Sequence, residues 1–134
     1  FELGKAEIFG EGKDIAILVY GFLFTEAYKA KETLESQGLS VRLINMRTLK
    51  PVDEQAILRA ADECKFIVTV EDHFITGGLY SILAEVLLKK KKTANVLPLA
   101  LMNKWFKPGL LNDVLEYEGF TAAKIADRIL NYLH

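Results

Sequence analysis

Two carboxylates, an imidazole and a pair of glycines stand together in Glu71-Asp72-His73-Phe74-Ile75-Thr76-Gly77-Gly78, the densest group of chemically capable residues in the chain. Glu and Asp accept protons or hold cations, His exchanges protons near neutrality, and paired glycines let a ligand approach the backbone. A helical pattern follows the glycines, so free amides at a helix start would favour an anion there. The same residues also have a purely structural use. Gly77-Gly78 can make a tight turn, Glu71 can accept loop amides, and His73 can orient the loop. Spacing alone leaves both uses open.

The other reactive side chains offer less. His73 is the one internal histidine, because His134 is the final residue, so no two-histidine metal site can form within the core. Cys64 lies between Glu63 and Lys65, whose charges cancel, and a thiolate there gains no stabilising field. It reads as structural. Neither a Gly-x-Gly-x-x-Gly segment after the first strand nor a Walker loop or Gly-x-Ser-x-Gly elbow occurs. The run Lys89 to Lys92 falls at a helix end, where positive charge suits the helix dipole and lysines can simply be solvated. These patterns assign no catalytic residue, metal ligand or cofactor contact to the chain.

The elements that must position these groups follow from the hydrophobic pattern. Asp14 to Tyr20 is a short apolar run expected as a buried strand, and Thr25 is the expected cap of a helix carrying Ala27, Ala30 and Leu34 and stopping at Gly38. Ser40 to Asn45 forms a second strand, and Asp53 caps a helix from Ala56 to Ala61. Phe66 to Val70 is a third strand, ending in Glu71-Asp72-His73, and Leu79, Leu83 and Leu87 mark the next helix. Asn95 to Leu101 is a further strand in which Pro98, unable to donate to a ladder, points to an edge. Leu110 to Glu116 and a Thr121-capped helix from Ala122 to Leu133, with Ile125, Ile129, Leu130 and Leu133 inward, complete the pattern.

Strands alternating with helices imply parallel pairing through right-handed crossovers, and hence a three-layer α/β/α sandwich. Lys5 to Gly10 is too close to the first core strand for a crossover and is expected to pair antiparallel in a short hairpin. Ligands of open parallel sheets sit beyond the carboxyl ends of the strands, at the segments beginning with Gly21, Asn45, Glu71 and Leu101.

Composition sets the outer limits. The chain has 134 residues, 51% of them hydrophobic and 26% charged, which suits one soluble domain over residues 1–134. Seventeen Lys plus Arg against 18 Asp plus Glu leave a net charge of -1, without the cationic field a nucleic acid requires. No run approaches the roughly 20 apolar residues of a membrane span. A single cysteine fits a reducing compartment, and the cytoplasm is expected. Because Phe1 stands where Met would begin a gene product, a fragment or a split subunit is expected.

Three separated segments resemble one family. Asn45-Met46-Arg47-Thr48-Leu49-Lys50-Pro51-Val52-Asp53 is similar to a strand-to-helix segment in the C-terminal domain of transketolases and of the decarboxylase components of 2-oxoacid dehydrogenases. Val68-Thr69-Val70-Glu71-Asp72-His73, Gly77 to Ser81 and Ala84-Glu85 resemble that domain's next strand, loop and helix. Phe106, Pro108-Gly109, Leu115-Glu116, Gly119-Phe120-Thr121 and Ile125-Ala126 resemble its closing segment, and Phe1 to Ala6 its linker.

The resemblance implies a mixed, mostly parallel five-stranded sheet with an antiparallel first strand. It implies thiamine diphosphate and Mg2+ in the complete enzyme but none in this chain, which lacks the family's Gly-Asp-Gly segment. Ketol transfer between sugar phosphates is the implied activity, with the isolated chain inactive. The implied role is support and interface toward upstream transketolase domains or an upstream subunit, in a homodimer or heterotetramer. The loop of Glu71, Asp72, His73, Gly77 and Gly78, together with Arg47, is the candidate contact surface. Arg47 is more typical of the dehydrogenase relatives, which keeps a docking domain of that subfamily as an alternative, and a small-anion-binding domain is another. Gly21-Phe22-Leu23 departs from the transketolase pattern, and an exposed Phe-Leu pair there would suggest a protein contact.

Overall fold

The computed structural model describes all 134 residues. Five apolar segments become strands: β1 (Glu7–Phe9), β2 (Ile15–Val19), β3 (Val41–Asn45), β4 (Phe66–Phe74) and β5 (Val96–Leu101). They form one sheet in the order β1-β3-β2-β4-β5, with β2 paired in parallel to both β3 and β4, and β4 in parallel to β5. Every residue of β2 is buried, as expected for a central parallel strand covered on both faces. Pro98 lies on β5, an edge strand, so its missing N–H costs the sheet no inner ladder bond.

The first strand is antiparallel as expected, but it does not form a hairpin with β2. It pairs with β3, with Ile8 opposite Ile44. Both edges of β2 are taken by parallel neighbours, so the outer edge of β3 is the ladder open to β1.

Helices α1 (Phe24–Ser36) and α5 (Ala122–Leu133) cover one face, and α2 (Glu54–Glu63) and α3 (Leu79–Lys89) the other, with α4 (Leu111–Glu118) between β5 and α5. The first face packs Ile15, Ile17, Leu43, Val68 and Leu99 against Ala27, Leu34, Ile125 and Ile129. The second packs Ala16, Leu18, Ile44 and Ile67 against Ile57, Ala60, Leu79 and Leu83. Alternation along each strand thus feeds two cores, giving the expected three layers. No helix is long and apolar enough to cross a membrane.

Several local expectations change. Gly21, at φ +68°, turns the chain at once after β2, and a short 3-10 turn from Gly21 to Leu23 leads directly into α1. Thr25 therefore lies inside that helix instead of capping it. Thr121 precedes α5 but makes no capping bond. Leu133 is exposed, while Ala126 joins Ile125 and Ile129 inside. The third core strand runs on through Glu71, Asp72 and His73 to Phe74, because β5 continues alongside and pairs Leu101 with Phe74 after a register shift. Asp53 does cap α2, accepting the Ala56 N–H at 3.0 Å.

Candidate functional site

The extension of β4 places Glu71 at the start of α3. Its side chain is buried, with Oε2 accepting the Leu79 N–H at 2.6 Å and Oε1 accepting the Tyr80 N–H at 3.0 Å. These amides open the helix, so the carboxylate occupies the position that an external anion would take. Gly78 is required by this approach, since a Cβ there would lie 1.9 Å from Glu71 Oε2. Gly77, at φ +88°, donates its N–H to Ser81 Oγ at 2.8 Å, and that hydroxyl donates to the Ile75 carbonyl at 3.2 Å. Burial raises the Glu71 carboxyl above its usual pKa despite the two amide bonds. Burial, reinforced by the negative charges of Glu71 and Asp72, likewise pushes the neighbouring Tyr20 hydroxyl up to about 12.

Asp72 and His73 lie exposed beyond this capped turn, with His73 Nδ1 2.8 Å from the Phe74 carbonyl. The structure thus gathers Glu71, Asp72, His73, Gly77 and Gly78 into one turn. Arg47 sits elsewhere, past the tip of β3, where it borders an open cavity of about 400 Å³ with Tyr20, Gly21, Asn45, Met46 and Thr48. Its guanidinium bonds Glu7 at 2.6 Å and stacks 5.4 Å from the Phe1 ring centre. The Arg47 hydrogen bond holds the Glu7 carboxyl below the ordinary range.

Two further helix starts are closed by the chain's own acids. Asp53 accepts from Ala56 at α2 and also from the Ala6 N–H, each at 3.0 Å. Glu26, on α1, accepts the Ala122 N–H of α5 at 2.7 Å, across 96 residues of sequence. No group of three His, Cys, Asp or Glu side chains is placed to hold a metal ion. The starts of α2, α3 and α5 therefore offer a diphosphate no free helix amides, and no cluster of acids is placed for its magnesium.

Beside the exposed Asp72, His73 and Arg47, this end of the sheet presents apolar side chains. Leu23 is buried but Phe22 is half exposed, which divides the Phe-Leu pair. Phe74 is exposed on one side and packs against Phe106 at 5.7 Å between ring centres. Trp105 is 100% exposed and Leu110 77%. Sequence patterns did not single out Trp105, although it is the only tryptophan, because the loop around it has no periodicity. Also unsuspected was Arg42, buried on β3 among apolar residues, where it bonds Glu63 at 2.6 Å.

The chain matches the family model for the transketolase C-terminal domain over residues 4–125. It is 36% identical over 130 residues to a transketolase C-terminal section of Methanocaldococcus jannaschii, covering 97% of this chain and 40% of that one. It is 35% identical over 130 residues to a 1-deoxy-D-xylulose-5-phosphate synthase of Caldanaerobacter subterraneus, covering 97% of this chain and 21% of the synthase. A solved structure described as a split-gene transketolase, inactive beta4 tetramer, superposes with a TM-score of 0.88 at 31% identity, covering 98% of this chain and 43% of that one. The chain therefore spans less than half the length of these relatives.

Proposed function

The chain belongs to the transketolase C-terminal domain family, and on that premise we propose that it is the supporting and docking domain of an enzyme that transfers two-carbon ketol units between sugar phosphates. Thiamine diphosphate and Mg2+ are held by upstream transketolase domains or by an upstream subunit, and the complete enzyme is a homodimer or heterotetramer. The exposed part of the Glu71, Asp72, His73, Gly77 and Gly78 turn, with Arg47, faces that polypeptide. The free thiol of Cys64 suits a reducing cytoplasm.

The observation that carries this reading is the way the carboxyl end of the sheet is finished. The starts of α3, α2 and α5, three of the places where a phosphate could bind, already hold Glu71, Asp53 and Glu26, while phenylalanine and tryptophan rings face outward. Such a surface suits protein contact better than chemistry. The same capping removes the donors that the small-anion alternative needs. Pairing of Arg47 with Glu7 gives that arginine a use within the domain, which weakens the motive for the dehydrogenase alternative.

Reconstitution tests the proposal. Ketol transfer should appear when this chain is combined with the thiamine-diphosphate-binding polypeptide and should be absent from this chain alone. Full activity of the other polypeptide without this chain would overturn the required role. The likeness to the Caldanaerobacter synthase over nearly the whole chain favours a second reading, in which the complete enzyme makes 1-deoxy-D-xylulose 5-phosphate. Identifying the product of the reconstituted enzyme by mass spectrometry decides between the two.

A further inference from the structure

The strand order lays out the carboxyl end of the sheet as a row. Residues leading into antiparallel β1 come first, followed by the tips of β3, β2, β4 and β5. Large exposed apolar side chains recur along this row: Phe1 and Leu3, then Phe22, Phe74, Met102 and Trp105, with Leu110 just beyond. Single exposed apolar residues are ordinary, but a row of them along one end is what soluble monomers avoid.

The polar groups behind the row are already satisfied. The Leu79 and Tyr80, Ala56 and Ala122 amides are capped by Glu71, Asp53 and Glu26, so covering this end strands none of those donors. The stem of the Trp105 loop is also fixed. Lys104 bonds Glu118 at 2.8 Å and lies 5.6 Å from the Tyr117 ring centre, and Lys107 lies 5.4 Å from the same ring. Tryptophan is among the residues enriched in interface hot spots.

The direction of β1 identifies the occupant. Because β1 runs against β3, residues 1–6 enter at this same end, where the Gly4 N–H donates to Thr48 Oγ1 at 3.1 Å and the Ala6 N–H to Asp53 at 3.0 Å. This chain covers only 40% of the archaeal relative and 21% of the synthase, and the family model describes a C-terminal domain, so the remainder of those relatives lies ahead of it. Any polypeptide preceding Phe1 is therefore delivered onto the apolar row.

We propose that the row formed by Phe22, Phe74, Met102, Trp105 and Leu110 is the docking face for the polypeptide that precedes this domain in its relatives, whether fused or separate. This rests on the supporting-domain reading and adds to it the surface that is used.

The test uses the complex of this chain with the thiamine-diphosphate-binding polypeptide. Trp105→Glu and Leu110→Glu should each weaken assembly by at least about tenfold, whereas Leu88→Glu should change it by less than about twofold. Leu88 is a fair control because it is 80% exposed near the opposite end, by the close of α3. Oxidative footprinting of the unaltered complex should show Trp105 and Met102 protected relative to this chain alone, a readout independent of any variant's folding. A complex that forms but tolerates both charged variants, with Trp105 still open to oxidation, overturns the docking face and leaves the supporting role intact. Failure of the unaltered chains to associate overturns the supporting role itself. Variants that dissolve self-association of this chain while sparing the mixed complex would assign the face to a second copy and overturn the proposal.

Discussion

The two ends of the parallel sheet are built from similar materials, namely glycines, acidic side chains and short turns, but they are finished in different ways. At the amino end, backbone meets backbone. A Cβ on Gly12 would lie 2.3 Å from the Val41 backbone nitrogen and carbonyl carbon. Asp14 accepts from both the amide and the hydroxyl of Ser40, at 2.8 and 2.9 Å, and pairs with Lys65 at 2.7 Å. Cys64 Sγ donates to the Gly12 carbonyl at 3.5 Å, and its thiol is raised by burial. The carboxyl end also has the starts of α2, α3 and α5 sealed by acids, yet leaves aromatic rings outside. One end is finished within the chain, and the other has a finished polar layer beneath an unfinished apolar one.

Matched substitutions can break or sharpen this contrast. Gly12→Ala should cost about 3 kcal/mol or more, because backbone must move to admit the methyl group. Gly21→Ala should cost only about 1 kcal/mol, from its φ of +68°, since nothing lies within 4 Å of the added carbon. Urea denaturation measures both, and equal losses would erase the distinction. Glu71→Ala strands the Leu79 and Tyr80 amides in a buried turn and should lower stability by about 2 kcal/mol in the same experiment.

Acid should separate the two ends by sign. The Lys65 and Ser40 hydrogen bonds hold Asp14 at about 2. Its folded pKa lies below its unfolded one, so its contribution is present above the ordinary value of about 3.9 and disappears as pH falls toward 2. Glu71 is raised instead, so its contribution is full below the ordinary carboxylate value and is lost as pH rises through the raised one. Melting temperatures recorded from pH 2 to 7 should show a shallower acid limb in Asp14→Asn, with Glu7 and Glu63, also held low, supplying the remainder, and an unchanged limb would refute the assignment. The smallest effect is expected from Phe22→Glu, which should alter the stability of this chain by no more than about 0.5 kcal/mol. A larger loss would mean that the ring belongs to the core.

Much of this architecture was legible because alternation of strands and helices dictates parallel pairing, and because Asp53 and Pro98 act within their own neighbourhoods. Gly38, at φ +87°, similarly ends α1 where expected. Interactions between distant segments were not legible. Nothing near Thr121 indicates that Glu26, rather than the threonine, caps α5. The place of β1 depends on the choice between the outer edges of β3 and β5, a property of the finished sheet. At the candidate site, the residues were visible but their use was not. Whether Glu71 serves a ligand or its own helix turned on β4 running to Phe74, which the partner strand decides. Arg42 carried no signal of its own: β3 is buried on both faces, and the guanidinium finds its partner in Glu63 of α2.

The link between Glu26 and Ala122 bears on how the molecule is made. As the ribosome releases the chain, α2 and α3 can close over their side of the sheet once α3 has emerged. The opposite side must wait for α5 to bring Ile125, Ala126 and Ile129 against α1. During that interval α1 lies against β2 and β3 on this side, while the β5 end of the face still lacks its helix. Apolar surface should therefore stay open longest on this one side of the sheet, beside β5.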